Sequence, residues 1–171
     1  MKTAMKAEVT ETSGSPEQVV KSRYLEALHL VERLHRRLLD VIKDEFDRMG
    51  WDDINPVQAL LMFNIGDADL TAGELRSRGY YLGSNVSYNV KKLVENGYLI
   101  QERSAHDRRQ TRVRLSQKGL DITARIDQLY RRNAEELAGT LDEDQLKSLN
   151  GVLLGLERYW SSLIKYDPTF A

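Results

Sequence analysis

Apolar residues recur at helical spacing along most of this chain, and the first such pattern is also the longest. A helix is predicted from Pro16 to Met49, because no Gly or Pro interrupts residues 18–48 and Gly50 can end it. Its apolar positions form two neighbouring stripes, which are Tyr24, Leu28, Val31, Leu38 and Ile42 and, beside them, Leu30, Leu34 and Val41. A helix with this much apolar surface is expected to bury two sides, one against its own domain and one against a partner.

Polar start signals divide the rest of the chain into further helices. A capping box pairs a Ser, Thr, Asp or Asn with a Glu or Gln three residues later, and such boxes begin at Asn55, Thr71 and Asp142. Ser116 supplies another N-cap, followed by a helical apolar pattern. The helices that these signals predict are 56–66, 71–78, 117–139 and 143–163.

The segment from Leu82 to Ser116 combines two periods, and its first part is helical. Val86, Val90, Leu93 and Val94 form one apolar stripe. The opposite face carries hydrogen-bond donors and positive charge, on Ser84, Asn85, Tyr88, Lys91 and Lys92. Gly97 suits the left-handed position that ends a helix. The short helix after Thr71, a turn that contains Gly, and this helix together predict a helix-turn-helix.

A β-hairpin is predicted directly after this helix. Residues 98–103 and 111–115 alternate and are rich in β-branched and aromatic residues, and the polar tip between them is dense in cations. A helix with a basic face followed by a basic hairpin is typical of a winged helix, so the fold class is mainly α with a small β wing. Such a helix fits the major groove of B-DNA, and the hairpin tip can reach phosphates or the minor groove.

Positive charge is concentrated on the same stretch. Residues 71–118 carry ten Lys and Arg against four Asp and Glu, a net charge of +6, whereas the whole chain of 171 residues has a net charge of −1. Basic helix surfaces and hairpin tips also occur for solubility alone. Here the charge coincides with a geometry that fits the grooves of DNA, which favours a polyanion as the partner.

Composition excludes several other classes. The absence of cysteine excludes disulfides, thiolate metal sites and thiol redox sensing. No apolar run reaches the about 18 residues of a membrane span, and residues 1–17 do not resemble a secretory signal. We therefore expect a cytoplasmic protein with no membrane partner.

An enzymatic function is not expected either. The three histidines, His29, His35 and His106, have no nucleophile motif around them. His29 and His35 each follow a glutamate by three residues, a spacing that can ligate a metal but is far commoner as a solvated pair on a helix face. We predict no catalytic residues, no metal site and no cofactor.

The last predicted helix carries apolar residues whose spacing alternates three and four, as in a coiled-coil seam. Such a stripe can be an intramolecular core. A homodimer is favoured here because the first and last helices both carry apolar surface that one small winged helix cannot cover. The predicted dimerisation residues are Leu28, Leu149, Leu153, Leu156, Trp160 and Leu163.

These elements predict the domain organisation. Residues 51–116 form a winged helix-turn-helix domain, and residues 17–50 and 117–165 form a helical dimerisation region. Residues 1–16 and 166–171 are expected to be tails.

The order of these elements resembles the MarR family of bacterial transcription regulators, over about residues 19–163. The most specific match is the stretch from Asp107 to Gly119, which is similar to the family's Asp-x-Arg pattern followed by a hydrophobic residue, Leu-Ser/Thr and Gly. Residues 79–88 are similar to the LdtR-like branch. The resemblance implies a homodimer on a pseudo-palindromic operator, with Arg109 entering the minor groove and Asp107 steadying it. The lack of cysteine departs from the peroxide-sensing members.

The predicted function is DNA-binding transcriptional regulation as a repressor, although the residues themselves do not give the sign of regulation. The predicted DNA contacts are Ser84, Asn85, Ser87, Tyr88, Asn89, Lys91, Lys92, Arg103, Asp107, Arg108, Arg109 and Arg112. The resemblance also implies a small aromatic or phenolic effector. Ile42, Leu60 and Phe63 are predicted to line its site, or else simply to pack together. The alternative function is a winged helix used as a protein-interaction module, which a strong salt dependence of duplex binding would exclude.

Overall fold

The computed structural model describes residues 15–71, 74–75, 83–103 and 111–165, with no side-chain description for residues 83–85 and 165. Five helices and three strands have defined bounds within these ranges. They are α1 (Pro16–Met49), α2 (Pro56–Ile65), β1 (Leu70–Thr71), α3 (Gly83–Glu95), β2 (Leu99–Arg103), β3 (Thr111–Leu115), α4 (Gln117–Leu137) and α5 (Glu143–Lys165). The prediction of a mainly helical winged-helix fold is confirmed.

The sheet has three strands in the order β1-β3-β2, and both pairings are antiparallel. The predicted hairpin is β2 and β3, in which Leu99 faces Leu115 and Arg103 faces Thr111. Strand β1 was not predicted. It comprises two residues, Leu70 and Thr71, and pairs with the opposite edge of β3.

Side-chain caps set the helix starts, as the sequence predicted. In the boxes that begin at Asn55 and Asp142, the side chain accepts from the backbone N–H three residues later at 2.9 and 2.8 Å. Thr71 and Glu74 exchange the corresponding bonds at 3.2 and 2.6 Å. Ser15 and Gln18 form a further box at the start of α1, which the sequence analysis missed. Each such cap stabilises a helix by about 1 kcal/mol.

Three glycines among the described residues, Gly50, Gly66 and Gly97, adopt the backbone conformation that L side chains rarely take. Gly50 ends α1 with φ 69°, and its N–H bonds carbonyls of the last turn. Gly97 follows α3 with φ 75°. Gly50 and Gly97 therefore end their helices where the sequence predicted, and the left-handed conformation predicted for Gly97 is confirmed.

The chain divides into two compact units, the first ending at Gln58 and the second beginning at Ala59. In the first unit, Ile42, Phe46 and Ile54 are buried, and the Phe46 ring meets the edge of Trp51 at 5.6 Å between centroids. Apart from Ile42, Glu45 and Phe46, α1 is exposed or half-buried along its whole length.

The second unit contains most of the core. Its buried side chains come from the residues of α2 after Gln58, both faces of the hairpin's start, and one stripe each of α3 and α4. The largest are Leu61, Met62, Ile65, Leu75, Val86, Leu93, Tyr98 and Ile126. Leu70 and Leu75, which flank the capped segment that begins at Thr71, are both buried, which is the arrangement of a hydrophobic staple.

Candidate nucleic-acid interface

Helix α3 buries one face and presents the opposite face to solvent. Val86, Val90 and Leu93 are buried, while Tyr88 is 62% exposed and points directly away from them on the helix. Ser87, Lys91 and Lys92 are also exposed, and Asn89 is half-buried at the side. Ser84 and Asn85 belong to the first turn of α3, but their side chains lie outside the described residues.

Glu95 lies at the end of the exposed face and partners both lysines. Lys92 Nζ donates to Glu95 Oε2 at 2.8 Å, whereas Lys91 Nζ is 3.8 Å from Oε1. The hydrogen bond with Lys92 lowers the pKa of Glu95 and raises the pKa of Lys92, so both stay charged around neutrality. Lys91 is the more exposed of the two lysines, and its contact with Glu95 is the longer one.

A compact clamp fixes the C-terminal end of α3 to the start of α4. Ser116 N–H donates to the carbonyl oxygen of Tyr98, and its Oγ lies 2.6 Å from the carbonyl oxygen of Gly97. The same Oγ accepts from the N–H of Gly119 at 3.1 Å. The Lys118 ammonium lies 3.9 Å above the centre of the Tyr98 ring and donates to Asn96 O, in the turn that ends α3.

Only part of this clamp was predicted from the sequence. The N-cap role of Ser116 is confirmed, whereas the bonds from Ser116 and Lys118 back to residues 96–98 were not predicted. The signal in the sequence for this contact region was the spacing of Ser116 and Gly119, three residues apart. Since the clamp carries the turn that ends α3, it sets the position of that helix relative to the hairpin.

Arg112 and Arg114 lie on the same face of the hairpin, opposite to the face that carries Val113 and Leu115, and each is paired with a carboxylate. Arg114 bonds Glu102 across the strands at 3.0 Å. Arg112 Nε lies 2.9 Å from Asp69 Oδ2, and its Nη2 donates to the backbone oxygen of Asp69. Arg103 is exposed at the end of β2. Asp107, Arg108 and Arg109, the predicted contacts of the tip, lie outside the described residues.

The residues predicted for dimerisation leave much apolar surface uncovered in the single chain. Leu149, Leu153 and Leu163 on α5 are 40–54% exposed, and Leu156 and Trp160 are half-buried beside them. On α1, Leu28 is half-buried. Several further apolar side chains of α1 are exposed, namely Val19, Val20, Tyr24, Leu25, Leu30, Leu34, Leu38 and Val41.

The three residues predicted for an effector site fall in different parts of the structure. Leu60 is buried, and Phe63 is half-buried with its ring meeting the edge of Tyr130 at 5.2 Å between centroids. Burial raises the pKa of the Tyr130 phenol, which keeps the hydroxyl protonated. Ile42 belongs to the first compact unit and is fully buried.

No group of three or more His, Asp or Glu side chains in the described part of the chain could hold a metal ion. No helix among the described residues is long and apolar enough to cross a membrane.

Known proteins that are similar to this chain identify its family. A family model described as the MarR family matches residues 52–110. The exopolysaccharide II synthesis transcriptional activator ExpG of Rhizobium meliloti (strain 1021) is 35% identical over 144 residues, which cover 84% of this chain and 74% of ExpG. This chain belongs to the MarR family. The relative and the family are transcriptional regulators, so the prediction of a regulator rather than an enzyme is confirmed.

Solved MarR-type structures share the fold at low sequence identity. Streptococcus pneumoniae FabT, in complex with DNA, superposes with a TM-score of 0.65 at 20% identity and covers 82% of this chain and 99% of FabT. A mutant MarR of E. coli complexed with operator DNA gives a TM-score of 0.64 at 18% identity, covering 78% of this chain and 95% of that one. The winged-helix architecture of this MarR-family chain is therefore common to regulators whose structures contain DNA.

Proposed function

We propose that this MarR-family protein regulates transcription by binding duplex DNA, with α3 in the major groove and the hairpin tip in the adjacent minor groove. The observation that carries the proposal is the division of α3, which buries Val86, Val90 and Leu93 and leaves Tyr88, Lys91 and Lys92 on the outer face. An α-helix with a polar and basic outer face fits the major groove. FabT and MarR, which share this fold, were solved with DNA.

The DNA-binding form is proposed to be a homodimer on a pseudo-palindromic operator. The exposed stripe of α5, with Leu149, Leu153 and Leu163, supports this because an apolar surface of this extent on a water-soluble helix needs a cover. A two-fold dimer presents one α3 to each half-site, and the half-sites then lie about 10 bp, one helical turn, apart. The proposed dimerisation region comprises residues 17–50 and 117–165, and the proposed DNA-binding domain residues 51–116.

Base reading and phosphate anchoring on α3 are expected to separate by mutation. The operator is first obtained by selecting bound sequences from a random duplex pool. Tyr88→Ala should then lower affinity for this operator about tenfold more than affinity for a random duplex, because it removes a contact to base edges. Lys91→Gln should weaken both complexes alike. It should also reduce the magnitude of the slope of log affinity against log salt, by about one for each phosphate contact that is lost.

The titrations are repeated at several salt concentrations, with Lys147→Gln as the control. Lys147 is an exposed lysine on α5, so its replacement removes the same charge from a different helix and should leave the slope unchanged. If Tyr88→Ala and Lys91→Gln both leave operator affinity at the wild-type value, α3 is not the reading helix. Duplex binding without any salt dependence would instead favour the protein-interaction module.

An effector site is proposed beside the Phe63–Tyr130 aromatic pair. Two half-buried rings in edge contact offer an apolar wall, and the protonated Tyr130 hydroxyl can donate a hydrogen bond to a phenolate or carboxylate. A compound that prefers one conformation of the dimer would shift the population that binds DNA. The alternative is that Leu60 and Phe63 serve only the core.

Phe63→Ala is expected to weaken binding of phenolic and aromatic carboxylic acids about tenfold, because it removes one wall of the proposed site. Isothermal titration with a panel of such acids measures this, and Tyr88→Ala, which removes an exposed aromatic ring from α3, is the control. Equal affinities for wild type and Phe63→Ala would show that the acids do not bind at this pair.

A further inference from the structure

The pair of Arg112 and Asp69 joins two segments that are far apart in the sequence. Arg112 is the second residue of β3, the strand that follows the hairpin tip, and Asp69 directly precedes β1. The guanidinium engages Asp69 twice, with Nε 2.9 Å from the carboxylate Oδ2 and Nη2 donating to the backbone oxygen. The Nε contact is a close ion pair and the Nη2 contact is a hydrogen bond to the backbone, so two atoms of one guanidinium face the same residue.

The pair lies where it can affect the orientation of the hairpin. Strand β1 has only two residues, and its pairing with β3 places Thr71 opposite Arg112. Thr71 is also the N-cap of the segment containing Glu74 and Leu75, where the helix-turn-helix begins. Arg112 thus adds a side-chain connection to a very short ladder, between the wing strand and the start of the helix-turn-helix.

We propose that Arg112 is a positioning residue, which orients the wing by holding β3 to Asp69, and that it is not itself a phosphate contact. This rests on the proposed DNA-binding function and assigns a role within it. The guanidinium charge is already paired with the Asp69 carboxylate and Nη2 donates to the Asp69 backbone oxygen, so a phosphate would have to compete with Asp69 for these groups. Arg112 then affects DNA binding through the orientation of the residues at the hairpin tip.

The two roles of Arg112 predict opposite effects when Asp69 is neutralised. If Arg112 contacts phosphate, Asp69→Asn removes a competing acid and should strengthen binding. If Arg112 is a positioning residue, Asp69→Asn releases the wing strand and should weaken binding about tenfold, the loss of one wing contact per subunit, and Arg112→Ala should do the same. The charge exchange Asp69→Arg with Arg112→Asp should recover at least half of the lost affinity on a logarithmic scale.

Matched controls separate this connection from general charge effects. Asp67→Asn removes the same charge from an exposed position two residues before Asp69 and should not weaken binding. Arg114→Ala removes an arginine from the same strand and the same face of the hairpin, together with its bond to Glu102, and should leave the Leu70 amide unaffected. Thermal unfolding of every variant confirms that the proteins compared are folded.

The decisive measurements are duplex titrations over a range of salt concentrations and hydrogen exchange of the Leu70 amide without DNA, because the Thr71 amide donates to Glu74 in the capping box. We expect Asp69→Asn and Arg112→Ala to weaken binding and to accelerate this exchange, while Arg114→Ala leaves the exchange unchanged. Stronger binding by Asp69→Asn, or unchanged exchange in both variants, would overturn the positioning role. Failure of the wild type to bind duplex DNA, with accelerated exchange in the variants, would instead overturn the proposed function and leave only the connection between the strands.

Discussion

Replacement of Gly119 by alanine is expected to lower the free energy of unfolding by about 3 kcal/mol, because the new methyl group has no space. A Cβ built on Gly119 lies 2.3 Å from the carbonyl oxygen of Tyr98 and 3.2 Å from Leu115 Cδ2. The carbonyl cannot easily retreat, since it accepts from the Ser116 N–H and the Ser116 Oγ lies only 3.0 Å from it. Relief of the clash must therefore move the start of α4 away from the turn that ends α3.

The measurement is thermal unfolding together with duplex binding. For a chain of this size, about 3 kcal/mol corresponds to a fall in Tm of roughly 6–12 °C. DNA affinity should fall as well, because the clamp sets the position of α3 relative to the hairpin. Gly139→Ala is the control, since its Cβ would make only an ordinary contact with Glu136 O at 3.6 Å. Equal Tm values for the two variants would mean that the close approach of Gly119 and Tyr98 does not constrain the fold.

Elements specified by local interactions were predictable from the sequence. The caps at Asn55, Thr71, Ser116 and Asp142 depend on residues at most three positions apart, and all of them are confirmed. The hairpin was predictable for a similar reason, because its two strands are near in sequence and both alternate. Strand β1 was not, because two residues show no period and the partner strand lies more than 40 residues later.

In the candidate site, too, features set by local pattern were predictable and long-range contacts were not. Periodicity alone identified the buried stripe of α3 and therefore its outer face, with Tyr88 and Lys91. The engagement of Arg112 by Asp69 could not be seen, because the two residues are 43 positions apart and either would read as a solvated charge. The prediction that Arg112 contacts DNA counted its charge without its partner. The contacts of Lys118 with Tyr98 and Asn96 were missed because they span about 20 residues.

Leu153→Glu combined with Leu156→Glu is expected to convert the protein to monomers and to lower operator affinity by roughly 100-fold or more, because the second half-site no longer binds intramolecularly. Leu153 is 40% exposed on α5, Leu156 is half-buried beside it, and Leu149 and Leu163 continue the stripe. A second copy covering this stripe would bury the introduced carboxylates without partners, which costs several kcal/mol per charge. The folded monomer should tolerate the change at Leu153 because that position is already open to water.

A charge-matched variant tests whether the position of the new glutamates matters. Ser148→Glu combined with Ser161→Glu adds the same two charges to exposed positions of α5 that lie roughly 100° or more around the helix from the apolar stripe. Sedimentation velocity should give dimers for this variant and for the wild type, and monomers for the leucine variant, while circular dichroism should show all three folded. A leucine variant that stays dimeric at micromolar concentration would place the proposed interface elsewhere, and α1 would be examined next. A monomer that kept full operator affinity would contradict the proposal that two α3 helices act together on one site.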